Sequence, residues 1–265
     1  MRAYIEGIGL LGPGLGGWQA GRPVLAGAEP YRPARTAIPP SELLPPAERR
    51  RAGIPVKLAL AVGREAFAAT GYDAAVTPTV FTSSSSDGEI LHEMCETLAT
   101  AEREVSPTKF MNSVHNAAAG YWSIATRSRE PSTSLCCFDA SFAAGLLECA
   151  AQVAVDRRPV ALVSHDQPYP EPLHAARPIA SVFGVALILV PEETRHSVAA
   201  IDLELRPADA AETRLADPGL EAARQGNPAA RSLALLAALA RGTAGEIVLK
   251  YVANTHLHAR VAPCR

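Results

Sequence analysis

Most of the residues able to do chemistry gather in the middle of the sequence. Between Ser106 and Gly145 lie a histidine, His115, two adjacent cysteines, Cys136 and Cys137, and an acid, Asp139, at the head of an Ala-rich stretch. A carboxylate there could serve acid–base or hydrolytic work. Its preferred reading is a cap on the helix beginning at Ala140, stabilising by about 1 kcal/mol. Cys136 and Cys137 sit on a strand expected over 134–138, and adjacent cysteines lack the spacing of a zinc site. The five cysteines (Cys95, Cys136, Cys137, Cys149, Cys264) contain no CxxC pair. An odd count without a secretion signal favours reduced cytoplasmic thiols. His256 and His258 alternate on a strand and share a face, yet no further ligands join them. His165-Asp166 follows a strand, where loops often carry function. A G-x-S-x-G elbow is missing, which leaves a hydrolase triad without support.

These side chains need a scaffold. A strand at 4–10 runs into a glycine-rich turn, Gly12–Gly17. Pro13 interrupts it, and the chain to Pro46 reads as irregular, which speaks against a dinucleotide fingerprint. A helix over 46–70 opens with Arg49, Arg50 and Arg51, a solvated basic face. A strand at 77–82 turns through Ser83–Ser86, read as capping and turn residues, into a helix over 89–103. A helix at 116–126 and the apolar helix 140–155 follow, the latter necessarily buried. Strands are expected at 160–164 and 181–190, with an edge strand at 198–205. A linker or exposed helix pair (206–227), an amphipathic helix (228–241) and two closing strands (246–252, 255–261) complete the chain. Strands alternating with buried helices predict an α/β fold, a mixed sheet sandwiched by helices.

Composition excludes some functions. Hydrophobic residues make up 48% and charged residues 20%, ordinary for a globular chain. A net charge of −2 offers no case for nucleic acid. No apolar run approaches the roughly 20 residues of a membrane span, and a cytoplasmic location is expected.

Two stretches carry a resemblance. Ser106-Pro107-Thr108-Lys109-Phe110-Met111-Asn112-Ser113-Val114-His115-Asn116 leads into an Ala-Gly helix, and Pro131-Ser132 leads through Cys136-Cys137-Phe138 to Asp139. With Arg177-Pro178 and Phe183–Leu189, they resemble the first half of β-ketoacyl synthases of the thiolase-like superfamily. The closest likeness is to the short chain-length-factor-like subunits of aryl polyene and type II polyketide pathways. It covers residues 1–193 as a ketosynthase-half-like domain, leaving 194–265 as a short appendage in place of a second half.

Counting from Pro131-Ser132, the family's nucleophilic cysteine falls on Asp139, a much poorer acyl acceptor. The family's catalytic histidine motifs, His-Gly-Thr and Gly-His, do not occur. The resemblance therefore implies no catalytic residue and no cofactor or metal. It implies a partner, an active ketosynthase, with acyl carrier protein engaged indirectly. Ser134, Leu135, Cys136, Cys137 and Phe138 would meet the partner's strand. Phe110, Met111, His115, Asn116, Tyr121 and Trp122 would cap its acyl tunnel. The alternatives are a decarboxylase or thioesterase-like enzyme using Asp139 with His115 or His165, and an acyl carrier protein-binding module using Arg49–Arg51 and Arg157-Arg158.

Overall fold

Two strongly apolar runs form the centre of one sheet. In the computed structural model, which describes all residues except Ser86 and Arg265, β4 (Val160–Asp166) and β5 (Phe183–Val190) are buried at every position. Strands covered on both faces read this way. They join β1 (Arg2–Leu11), β2 (Thr79–Thr82), β3 (Ser132–Leu135), β6 (Ala199–Pro207), β7 (Gly245–Lys250) and β8 (Thr255–Pro263). The eight strands lie in the order β3-β2-β4-β5-β1-β6-β8-β7. The pairs β2–β3 and β2–β4 are parallel and the others antiparallel, so the sheet is mixed, as expected.

Helices cover it on both sides. On one face α1 (Trp18–Ala26), α7 (Ser141–Asp156), α9 (Pro218–Gly226) and α10 (Leu233–Arg241) bury Phe142, Leu146, Leu235 and Leu236 against Leu187 and Leu189. On the other, α3 (Ile54–Ala68) and α6 (Ala117–Thr126) pack Leu58, Val62 and Trp122 on Phe81 and Val163. The glycines of β1 serve this packing: a Cβ on Gly9 would collide with the Val62 carbonyl of α3. At the sheet's far edge a loop residue pairs with the middle of β7. Thr213 N–H donates to Val248 O at 3.0 Å, and Val248 N–H donates to the Thr213 hydroxyl at 2.8 Å.

Several expectations need correction. The chain after the glycine-rich turn is irregular as expected over 27–45, but before that α1 forms with Pro23 inside it, and its Trp18 N–H donates to Glu65 Oε1 at 2.6 Å. The helix expected over 46–70 is two helices, α2 (Pro46–Arg51) and α3, because Pro55 forces a start. The strand expected over 134–138 lies at 132–135, and Phe138–Ala140 is a 3-10 turn. Phe138 has φ 52°, which no strand tolerates.

The strand β6 is not an edge strand: it pairs with both β1 and β8. Within 206–227, α9 is capped by Asp217 and buries Leu220 and Arg224. Phe138–Asp156, 19 residues of mean hydropathy 1.3, does approach the length of a span. That apolarity is used internally, where Phe142, Leu146, Cys149 and Val153 are fully buried.

Candidate functional site

Because β3, β2 and β4 run parallel, their carboxyl ends lie together, and the loops after Leu135, Thr82 and Asp166 emerge on one side of the sheet. There α7 starts through the 3-10 turn. The Ser141 hydroxyl ties this elbow together, donating to Phe138 O at 2.7 Å and accepting from Cys137 N–H at 3.0 Å.

Asp139 stands at this elbow, at the head of the buried helix, but does not cap it. Ala140 occupies the cap position of α7, and no side chain closes it. The extra 3-10 turn moves Asp139 away from the free amides, and its Oδ1 instead accepts from Arg177 Nη2 at 3.0 Å. The same guanidinium lies 3.4 Å from the centre of the Phe138 ring, within cation–π range.

A second carboxylate, Asp166, lies deeper: the His165-Asp166 pair expected in a loop after the strand forms the last two positions of β4. Asp166 Oδ1 accepts from Ser84 N–H at 2.8 Å, the Ser84 hydroxyl at 2.7 Å and the Ser83 hydroxyl at 3.1 Å. Burial pushes its pKa up to about 6, against those hydrogen bonds and the nearby Arg177 charge. The serines of 83–84 thus serve Asp166. The cap on α4 (Gly88–Ala99) is Asp87, accepting from Glu89 and Ile90 N–H at 3.2 and 3.4 Å; Ser86 lies outside the described residues. Desolvation raises the Asp87 pKa, opposed by hydrogen bonds that include one from Gln167. His165, next to Asp166, is buried in a small cavity with Asp87, Asn112 and His115. Burial drives its pKa down to about 4. Beyond this cavity opens a cleft of about 510 Å³ lined by Ile54, Lys57, Ile90, Tyr169 and Val182.

The residues expected to cap a tunnel divide. Phe110 and Met111, on α5 (Pro107–Asn112), are 63% and 55% exposed, and His115 and Asn116 are exposed as well. Tyr121 and Trp122 are core residues, Trp122 lying 5.5 Å from Phe67 and 6.3 Å from Phe81 between ring centres. Of the residues expected to meet a partner strand, Ser134 and Leu135 are in β3, at the end of the sheet. Cys136 and Cys137 belong to the loop and Phe138 to the turn. The carbonyls of Pro131 and Leu135 serve the β2 side, which leaves Ser132 and Ser134 facing outward. His115 Nε2 sits 3.2 Å from Ser134 O.

Desolvation and Asp166 raise the pKa of the Cys136 thiol, the wrong direction for a nucleophile. Cys149 is buried. His258 Nδ1 lies 3.4 Å from Glu246 Oε1. Among the described residues no group of three or more His, Cys, Asp or Glu is arranged to hold a metal.

Residues 26–252 match the family model described as β-ketoacyl synthase, N-terminal domain. No curated protein sequence matches the chain. Among solved structures, the complex of the ketosynthase ApeO with its chain length factor ApeC from Xenorhabdus doucetiae contains a similar chain. It has TM-score 0.74 and 20% identity, with 98% of this chain and 99% of that one covered. The ishigamide ketosynthase/chain length factor gives TM-score 0.71 at 15% identity, covering 100% of both chains. A β-ketoacyl synthase from Burkholderia phymatum gives TM-score 0.69 at 13% identity, again covering 100% of both. At these identities the likeness is one of fold.

Proposed function

The chain belongs to the β-ketoacyl synthase N-terminal domain family, and from that premise we propose that it is a non-catalytic, chain-length-factor-like subunit. It pairs with an active ketosynthase and shapes that enzyme's acyl tunnel in a polyketide or polyene pathway of aryl polyene type. One observation carries the reading: the residue at the elbow ahead of the buried helix is Asp139, engaged by Arg177 at 3.0 Å. An acyl acceptor must be free to attack a thioester carbon. A carboxylate engaged by a guanidinium has its oxygen committed to a charge-assisted hydrogen bond, and an anhydride formed from it would hydrolyse. The same bond weakens the decarboxylase and thioesterase alternatives, which need Asp139 available.

The pairing surface is β3 and the turn after it. A strand at the end of a sheet offers outward backbone groups to another strand, and His115 would release Ser134 O on pairing. The tunnel-shaping residues are the exposed members of the expected set, Phe110 and Met111, with His115 and Asn116 beside them. Bulk at the tunnel end limits chain length by exclusion.

The test is co-expression with a ketosynthase encoded beside this chain. The two should co-purify, and the ketosynthase alone should lose or redistribute its products. Phe110→Ala with Met111→Ala should shift products to longer chains. A chain that purifies alone, with a ketosynthase indifferent to it, ends this reading.

A further inference from the structure

Phe138 is unusual in four independent ways. Its backbone lies at φ 52°, a conformation bulky L-residues rarely adopt and one that costs free energy unless the surroundings impose it. Its ring is 63% exposed, although the chain plunges into the core directly afterwards with Ala140, Ser141 and Phe142 buried. One ring face carries the Arg177 guanidinium, 3.4 Å from its centre. It stands three residues past the end of β3, the open edge of the sheet. A strained, exposed aromatic braced by a cation contributes little to the core of its own chain.

We infer that Asp139 is a positioning residue: through its hydrogen bond it holds Arg177 flat on Phe138, and so presents that ring as an apolar knob to the ketosynthase partner. The inference rests on the pairing reading above and assigns to the replaced nucleophile position a task other than catalysis or capping. A carboxylate at 139 suits it because a short anionic side chain fixes one end of a planar, charged group. Because that bond is made at the guanidinium's edge, its face is free to stack. The partner's receiving surface must be an apolar pocket that admits one aromatic ring, the usual form of an interface anchor. Ser141 completes the device by gripping Phe138 O at 2.7 Å, so the knob sits on a fixed turn.

The experiment measures the dissociation constant for the ketosynthase encoded beside this chain. Wild type is compared with Phe138→Ala, Phe138→Leu, Arg177→Ala, Asp139→Ala and the Asp139→Ala/Arg177→Ala pair. Melting temperatures of the isolated variants show that each is folded. Phe138→Ala should weaken binding at least about tenfold, as loss of an anchor does. Phe138→Leu should recover part of the loss, because an apolar side chain still fills the pocket. Arg177→Ala and Asp139→Ala should each cost a smaller factor, and the pair no more than the worse single change, since the two act in series.

Additive losses from Asp139→Ala and Arg177→Ala overturn the inference. So does Phe138→Ala binding within twofold of wild type. A wild-type chain that binds no ketosynthase overturns the pairing reading instead, a result distinct from either.

Discussion

Replacing Asp166 with Asn should make a pH-tolerant core pH-sensitive. Asp166 and His165 are consecutive on β4, both nearly inaccessible at 3% and 4% exposure, and strand alternation sends them to opposite faces. Burial raises Asp166 from 3.8 to about 6. A raised acid contributes stability that is complete below its unfolded value and lost as pH rises through 6. Burial lowers His165 from 6.5 to about 4. A depressed histidine contributes stability present above 6.5 and lost as pH falls through 4. At ~1.4 kcal/mol per pH unit, each gap is worth about 3 kcal/mol. The signs are opposite and the windows overlap, so the pair largely cancels in the wild type.

Asn at 166 keeps an oxygen for Ser83 and Ser84 but does not titrate. Its unfolding free energy should therefore fall by about 2 to 3 kcal/mol more than wild type between pH 6.5 and pH 4. Urea unfolding at half-unit pH steps reads this directly. His165→Asn should show the mirror image, gaining relative stability as pH falls. Parallel wild-type and Asp166→Asn profiles across that range would refute the reasoning.

The remaining predictions concern packing, an ion cluster and acylation. In Gly145→Ala the new Cβ collides with Thr82 Cγ2 and comes within 2.8 Å of Leu162 Cδ1. Overpacking of this kind costs about 1–3 kcal/mol, seen as a loss of several degrees in Tm. Arg224, its side chain 4% exposed, bridges Glu221 at 2.8 Å and Glu212 at 3.1 Å. Arg224→Ala removes the buried cation between them but leaves Glu212 with Arg231 and Glu221 with Leu215 N–H and Gln225, so it should cost about 2 kcal/mol in urea unfolding. Wild-type chain incubated with an acyl thioester should show no covalent adduct by intact mass. An adduct mapped to Asp139 would mean that Arg177 does not restrain it.

Much of the scaffold was legible because its signals are local. The apolar runs of β4 and β5 and the uncharged helix α7 declare burial in their own letters, and Pro131-Ser132 fixes the register that brings Asp139 to the elbow. The role of Asp139 was not legible, since its partner Arg177 is 38 residues away and nothing near 139 requires it. The Ser83–Ser84–Asp166 cluster is hidden in the same way, spanning 82 and 83 residues. The α1 helix was missed because Pro23 and the preceding glycines read as breakers, whereas packing against β1 and α10 decides the matter. The placement of Tyr121 and Trp122 turned on which face of α6 meets Phe67 and Phe81, a question of tertiary geometry.

The loop that stitches Thr213 to Val248 has a consequence for assembly. A sheet with two bare ends could add chains indefinitely, each donating a strand to the next, and would grow as a filament. Here one end is partly taken, because both outward backbone groups of Val248 in β7 are bound by Thr213. A strand adding at that end would first have to displace Thr213 from Val248, so strand addition is favoured at the β3 end.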